Sequence, residues 1–118
     1  MKTAFMMTYK TWDIILVPFP FTNLQSVKKR PALIVSTDAF NIGPDVVILF
    51  ITSNISSYGR QGDCLIQNWK EGGLPKPSMT RMKFATIEKS IIIKKIGRLP
   101  SNDQAAVSNE LKLFFGFE

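Results

Sequence analysis

The chain has 118 residues, which suits one domain and leaves no room for two ordinary ones. Its 45% hydrophobic content is enough for a real core and excludes a disordered tail. Fifteen Lys and Arg against nine Asp and Glu leave a formal net charge of +6, which favours polyanionic partners such as RNA, DNA, an anionic membrane or an acidic protein.

There is one cysteine, Cys64, and no histidine. An internal disulfide is therefore impossible, which fits a reducing cytoplasm. Zinc sites draw on several Cys and His, so a structural zinc is excluded, and nothing in the chain requires a cofactor. Cys64 as a nucleophile would lack a histidine base, and it reads as a small buried apolar residue. A His-pair ribonuclease and a Ser-His-Asp hydrolase are excluded as well. Any catalysis must use Arg, Lys, hydroxyls or carboxylates. The apolar run at residues 4–7 is too short for a signal peptide, and the absence of a long apolar run predicts no membrane span.

Residues 1–10 read as a loose lead-in to a single domain spanning 1–118. A first strand is predicted at about 12–18, from the apolar run Ile14-Ile15-Leu16-Val17. A loop at about 19–29 follows, and a second strand at about 31–37 begins beside Lys28, Lys29 and Arg30. Pro18, Pro20 and Pro31 cannot donate to a ladder and belong at strand ends. Residues 38–44 read as a turn broken by Asn41-Ile42-Gly43-Pro44. Residues 45–51 are nearly all apolar, as in a central strand buried on both faces. That strand ends at Thr52-Ser53-Asn54, and a polar Ser/Gly loop runs on to Gly62. A short strand is predicted at about 63–67, and Gly72, Gly73, Pro75 and Pro77 make 70–78 a loop. In the strand at about 79–86, Thr80, Met82 and Phe84 point one way, Arg81 and Lys83 the other. Another strand is expected at about 91–97, its apolar run broken by Lys94-Lys95. A helix follows, with Ser101 and Gln104 at capping-box spacing and Val107, Leu111, Phe114 and Phe115 on one apolar face. The chain is thus mainly β: a small, strongly bent sheet or partly open barrel with a C-terminal helix.

The order of motifs resembles the PemK/MazF-like family of toxin–antitoxin ribonucleases. The matching residues are Asp13 to Val17 as the opening strand, Pro18 to Thr22 as a Pro-Phe-Pro-Phe-Thr hinge, and Lys29 to Ser36 as a basic-Arg-Pro-Ala-hydrophobic strand. Later segments match too: Ile51-Thr52-Ser53, Gly73-Leu74 with Pro77-Ser78 and Arg81, Thr86-Ile87-Glu88-Lys89, and Ile96-Gly97-Arg98-Leu99. The resemblance implies an SH3-like barrel, a homodimer, and cytoplasmic, metal-independent cleavage of single-stranded RNA at a short sequence. The 2′-hydroxyl attacks the adjacent phosphate, leaving a 2′,3′-cyclic phosphate and a 5′-hydroxyl. It also implies an antitoxin with an acidic, partly disordered tail that covers the basic groove, and DNA binding together with that antitoxin.

Carried over by position, the catalytic pair is Arg30 and Thr52. Attack at phosphorus builds charge on the non-bridging oxygens. A guanidinium donates two bonds to them and stays charged at all working pH. A threonine hydroxyl donates one more, and preorganised donors of this kind are each worth about 10²–10³ in rate. The proton acceptor is left open between Arg30, water and another group. Lys28, Lys29, Ser53, Ser78 and Arg81 are the candidate RNA contacts, against ordinary readings as a solvated loop, a turn cap and a solvated strand face. Phe19 and Phe21 could stack on bases or anchor the loop, and Trp69 reads as packing.

Three departures from the family pattern are visible. Trp12 stands where glycine is usual, which implies a different lead into the first strand. Gln25-Ser26-Val27 lacks a glycine before the basic run, and Phe50 stands where proline is common. Two other functions stay open: a protein-binding poison of the same fold, as in a gyrase-directed toxin family, and a non-catalytic single-stranded RNA-binding module.

Overall fold

A computed structural model describes residues 8–20 and 28–117. Residues 1–7 of the lead-in expected at 1–10, the hinge residues Phe21 and Thr22, and the Gln25-Ser26-Val27 departure lie outside the described residues, whereas Tyr9 of that lead-in is buried in the core. The described strands are β1 (Asp13–Phe19), β2 (Lys28–Ile34), β3 (Asp45–Thr52), β4 (Cys64–Leu65), β5 (Met79–Glu88) and β6 (Lys94–Arg98). They form one antiparallel sheet in the order β4-β5-β3-β2-β1-β6. A single helical turn, α1 (Asp38–Asn41), occupies the predicted turn, and α2 (Ser101–Phe115) closes the fold. The curled sheet and its C-terminal helix are the mainly β architecture that the residue pattern predicts.

Strand alternation divides the core in two. Ile14, Leu33, Leu49 and Ile51 pack on one face with Leu99 of the β6–α2 connection and Val107 of α2. Ile15, Val17, Ala32, Ile34, Val46 and Ile48 pack on the other. β3 supplies both clusters, as a strand buried on both faces must.

Several boundaries differ from expectation. β2 starts at Lys28, not at 31, because β1 continues through Pro18 and Phe19 and pairs them with Lys29 and Lys28. The basic residues are therefore strand residues. The strand expected at 91–97 is shorter, since a 3-10 turn, Lys89–Ile91, precedes β6. Lys95 does not interrupt packing so much as anchor β6 to β1. Its Nζ lies 3.1 Å from the buried Asp13 carboxylate, which also accepts from Lys10 N and Arg98 Nη1. β5 carries a bulge where the register jumps from Leu49↔Phe84 to Phe50↔Arg81. Two residues are skipped, so Met82 and Phe84 still pack on the helix-side cluster as the alternation predicts.

The capping box at Ser101 and Gln104 does not form. Pro100 is the N-cap, and Gln104 Nε2 donates back to Leu99 O at 2.8 Å. Asp103 does the tying: buried, it accepts from Gln67 N at 2.7 Å and Asn68 N at 2.9 Å. That holds the 67–74 turn against α2. The same turn crosses β6 backbone on backbone. A Cβ on Gly97 would stand 1.9 Å from Gly72 O, and one on Gly73, at φ +91°, 2.2 Å from Ile96 O. Only glycine fits at this crossing. The helix's apolar face is buried at Val107 and half-buried at Leu111, but Phe114 and Phe115 remain largely exposed beside Phe84.

Trp12 has φ +78°, the left-handed region that glycine enters most readily. Its N–H donates to Ile34 O at 2.8 Å and its carbonyl accepts from Leu99 N at 2.9 Å. The lead into β1 is thus glycine-like in backbone, with an indole packed against the helix-side core. The departure at Trp12 lies in the side chain.

Candidate active site

β2 and β3 pair Ala32 with Phe50, Leu33 with Leu49 and Ile34 with Ile48. The β2–β3 ladder ends at Ala32 and Phe50, and Arg30 and Thr52 each lie two residues further out on the face of that pair. On the far sides, Arg30 pairs with Val17 and Thr52 with Met79. Directly opposed residues of antiparallel strands share a face. One row therefore reads Val17, Arg30, Thr52, Met79, and the next reads Ile15, Ala32, Phe50, Arg81. Both rows lie on the face opposite α2.

Arg30 is exposed, yet it is not loose on the surface. Its guanidinium carbon is 5.1 Å from the centroid of Phe19, whose ring meets Phe50 edge-on at 6.2 Å. Cation–π contact over a fixed aromatic holds the guanidinium plane without consuming its N–H donors. Phe19, Phe50, Pro31 and Val17 line a small apolar hollow beneath it. Phe19 thus carries Arg30, and Phe50 buttresses Phe19 from its edge.

Thr52 ends β3, half-buried, and its Oγ1 accepts the N–H of Asn54 at 3.1 Å. The hydroxyl accepts in that bond, which leaves its proton for another acceptor. Ser53 is exposed, and its carbonyl accepts from Ile55 N. Lys28 shares the face of Arg30, whereas Lys29, one residue along, points to the other. Both are exposed.

The other two candidates are placed differently. Ser78 is buried, and its hydroxyl donates to Lys76 O at 2.9 Å, closing a turn. Arg81 donates through Nε and Nη2 to the two oxygens of Asp63 at 3.0 and 2.8 Å, and through Nη2 to Ser57 O at 2.9 Å. The pair is nearly sealed, with side chains 11% and 1% exposed. Asp63 Oδ2 also accepts from Gly59 N and Arg60 N. Its carboxyl is held below the usual carboxylate range, first by the Arg81 bond and then by those backbone donors. Arg81 thus clamps the loop at 53–63 from the strand side, on the face of Arg30 and Thr52. Residue type alone did not reveal Asn54 or Asp63. The available signal for Asp63 was that it is the acid nearest a loop, 53–62, that has none.

Cys64 is buried, and desolvation pushes its thiol up to about 11, as a structural cysteine requires. Among the described residues no group of three or more Cys, Asp or Glu side chains could hold a metal ion. No helix among them is long and apolar enough to cross a membrane.

A curled antiparallel sheet with a cationic strand start beside a hydroxyl-bearing strand end defines a small basic β protein. The model for the PemK-like, MazF-like toxins of type II toxin–antitoxin systems matches residues 10–115, and the chain belongs to that family. A comparison with curated sequences finds no match. Among solved structures, an endoribonuclease in complex with its cognate antitoxin from a Mycobacterial species superposes with a TM-score of 0.73 at 16% identity, covering 94% of this chain and 96% of that one. The Mycobacterium tuberculosis toxin MazF-mt6 gives 0.72 at 19% identity over 90% and 98%. A MazE–MazF structure from Deinococcus radiodurans gives 0.72 at 15% over 95% and 99%. At these identities the likeness is one of fold.

Proposed function

We propose that this toxin is an endoribonuclease that cleaves single-stranded RNA without a metal ion, with Arg30 and Thr52 as its catalytic residues. The observation that supports the reading is a ring-held guanidinium on β2 and a threonine hydroxyl at the end of β3 on the same face of two adjacent strands. The substrate's 2′-oxygen attacks phosphorus and the bond to the 5′-oxygen breaks. The 2′ proton leaves to a base, and the departing 5′-oxygen gains one. Arg30 offers two N–H groups and Thr52 one O–H to the non-bridging oxygens, where charge grows. The internal nucleophile makes a metal unnecessary. No carboxylate stands on either site row, and the proton acceptor stays open between Arg30, water and another group. Lys28 adds long-range attraction on the same face, and Lys29 does so from the opposite one.

The family membership supports a cognate antitoxin, as the solved complexes of similar fold contain one. An acidic tail that folds on binding complements the net charge of +6. We propose the homodimer, the cytoplasmic site of action and DNA binding with the antitoxin on the same family grounds. Ser53 joins the phosphate contacts as an exposed neighbour of Thr52. Ser78 and Arg81 act through the backbone they hold.

The test is cleavage of a long mixed-sequence RNA in EDTA by wild type and Arg30→Ala, with product 5′ ends mapped. Discrete cuts with 5′-hydroxyl ends that vanish in Arg30→Ala are expected. Intact RNA at micromolar wild type that still halts growth would transfer the reading to a protein-directed poison. Salt-dependent binding without turnover would make the chain an RNA-binding module.

A further inference from the structure

The loop at 53–63 carries a feature that the catalytic pair does not use. Tyr58 is 54% exposed, and the backbone on both sides of it is pinned. Ser57 O accepts from Arg81, Gly59 N and Arg60 N donate to Asp63, and Tyr58 N itself donates to Ile55 O at 3.1 Å. A nearly sealed ion pair is an expensive way to order a surface loop, and here it fixes the backbone on either side of an exposed aromatic residue. The loop starts from Thr52, and Arg81 reaches it from the face that bears Arg30 and Thr52. Six residues of chain span at most about 20 Å, and the 3-10 turn at Ile55–Ser57 shortens that. Residues 53–62 contain no acid, Arg60 is exposed, and Asp63 is neutralised by Arg81. An exposed ring on a pinned backbone in positive surroundings suits a nucleobase on a polyanionic strand better than an apolar protein side chain.

We propose that Tyr58 is a base-stacking position that binds one nucleotide of the RNA strand lying across Arg30 and Thr52. The assignment rests on the nuclease reading. The Asp63–Arg81 clamp holds the backbone that carries the ring, so less of the loop must be ordered on binding. Stacking is sequence-tolerant, so Tyr58 contributes affinity along the strand while other contacts choose the base.

The test compares wild type, Tyr58→Ala and Tyr58→Phe, each checked for folding by circular dichroism. The measurements are steady-state cleavage of the mixed-sequence RNA at one mapped site and binding of a 2′-O-methyl mixed-sequence single strand, which lacks the nucleophile. Tyr58→Ala is expected to raise KM and weaken 2′-O-methyl binding by about 5- to 150-fold, the range for losing one base–aromatic stack, with kcat little changed. Tyr58→Phe is expected to behave as wild type, because stacking uses the ring. Unchanged KM and binding in Tyr58→Ala, with wild type cutting RNA, would overturn this assignment and leave the nuclease reading standing. Equal damage in Phe and Ala would overturn it in favour of a hydrogen bond from the phenol. Loss of affinity for an acidic antitoxin peptide alone, with RNA kinetics intact, would make Tyr58 a protein contact. A wild type that neither cuts RNA nor binds the 2′-O-methyl strand would overturn both readings.

Discussion

Replacing Asp63 with Asn keeps the shape of the side chain and removes its charge. In the native protein the carboxylate accepts four hydrogen bonds, at 3.1 Å from Gly59 N, 2.9 Å from Arg60 N, 3.0 Å from Arg81 Nε and 2.8 Å from Arg81 Nη2. An amide has one oxygen, and its NH₂ must face donors already aimed at it. Arg81, with a side chain 11% exposed, is then left charged and half-satisfied. Breaking one side of a buried pair costs about 3–5 kcal/mol. Ser57 O still accepts from Arg81, so we expect the lower end, about 3 kcal/mol. At roughly 3–5 °C per kcal/mol for a chain of this size, Tm should fall by about 10–15 °C. The pH dependence supplies a second readout. Because the folded-state pKa of Asp63 is depressed, its stabilisation is fully present above the unfolded value, about 4, and is lost as pH falls through the folded one. The gap between wild type and Asp63→Asn should therefore narrow on acidification. Urea unfolding at pH 7 and at several points below pH 4 measures both. A loss under about 1 kcal/mol at pH 7, or a gap that does not shrink in acid, would refute the clamp as the loop's anchor.

The remaining expectations concern separate parts of the molecule. Thr52→Ala should lower kcat by about 10²–10³, whereas Thr52→Ser keeps the donor and recovers most of it in the same RNA assay. Gly97→Ala puts a methyl 1.9 Å from Gly72 O, so thermal unfolding should show a loss of about 3 kcal/mol or failure to fold. Trp12→Gly and Trp12→Ala both lose the indole, but only glycine relieves φ +78°, so the Gly variant should be about 1 kcal/mol more stable than the Ala variant in urea. Cys64, buried and with its thiol at about 11, should resist iodoacetamide at pH 8 until urea unfolds the chain.

The strands were legible where apolar runs met Pro, Gly or charge, as at 14–17 and 45–51. Boundaries were less so, because a partner strand decides them. Lys28 and Lys29 look like loop residues until Phe19 and Pro18 are set opposite them. The proposed pair, Arg30 and Thr52, comes from motif order alone, and the β2–β3 register adds that both lie on one face, beyond the paired Ala32 and Phe50. Arg81 illustrates what sequence alone withholds. Its charge suggested a solvated or RNA-facing strand residue, and it is bonded instead to an aspartate 18 positions away. Asp103 is similar: local helix chemistry pointed to Ser101 and Gln104, while the buried carboxylate serves a turn some 35 residues earlier. Such long-range polar pairs leave no periodic trace.

The strand order has a bearing on how the protein is made. β1 lies between β2 and β6, so one of its edges has no partner until residue 98 has been synthesised. Until then a nascent chain presents an open strand of largely apolar residues, the kind of edge that recruits unwanted pairing. Asp13, Lys95 and Arg98 close that seam, and the Gly72–Gly97 crossing locks it only once the last strand is in place. Completion of the sheet thus waits for its last strand, and a chain truncated before β6 lacks the partner for the outer edge of β1.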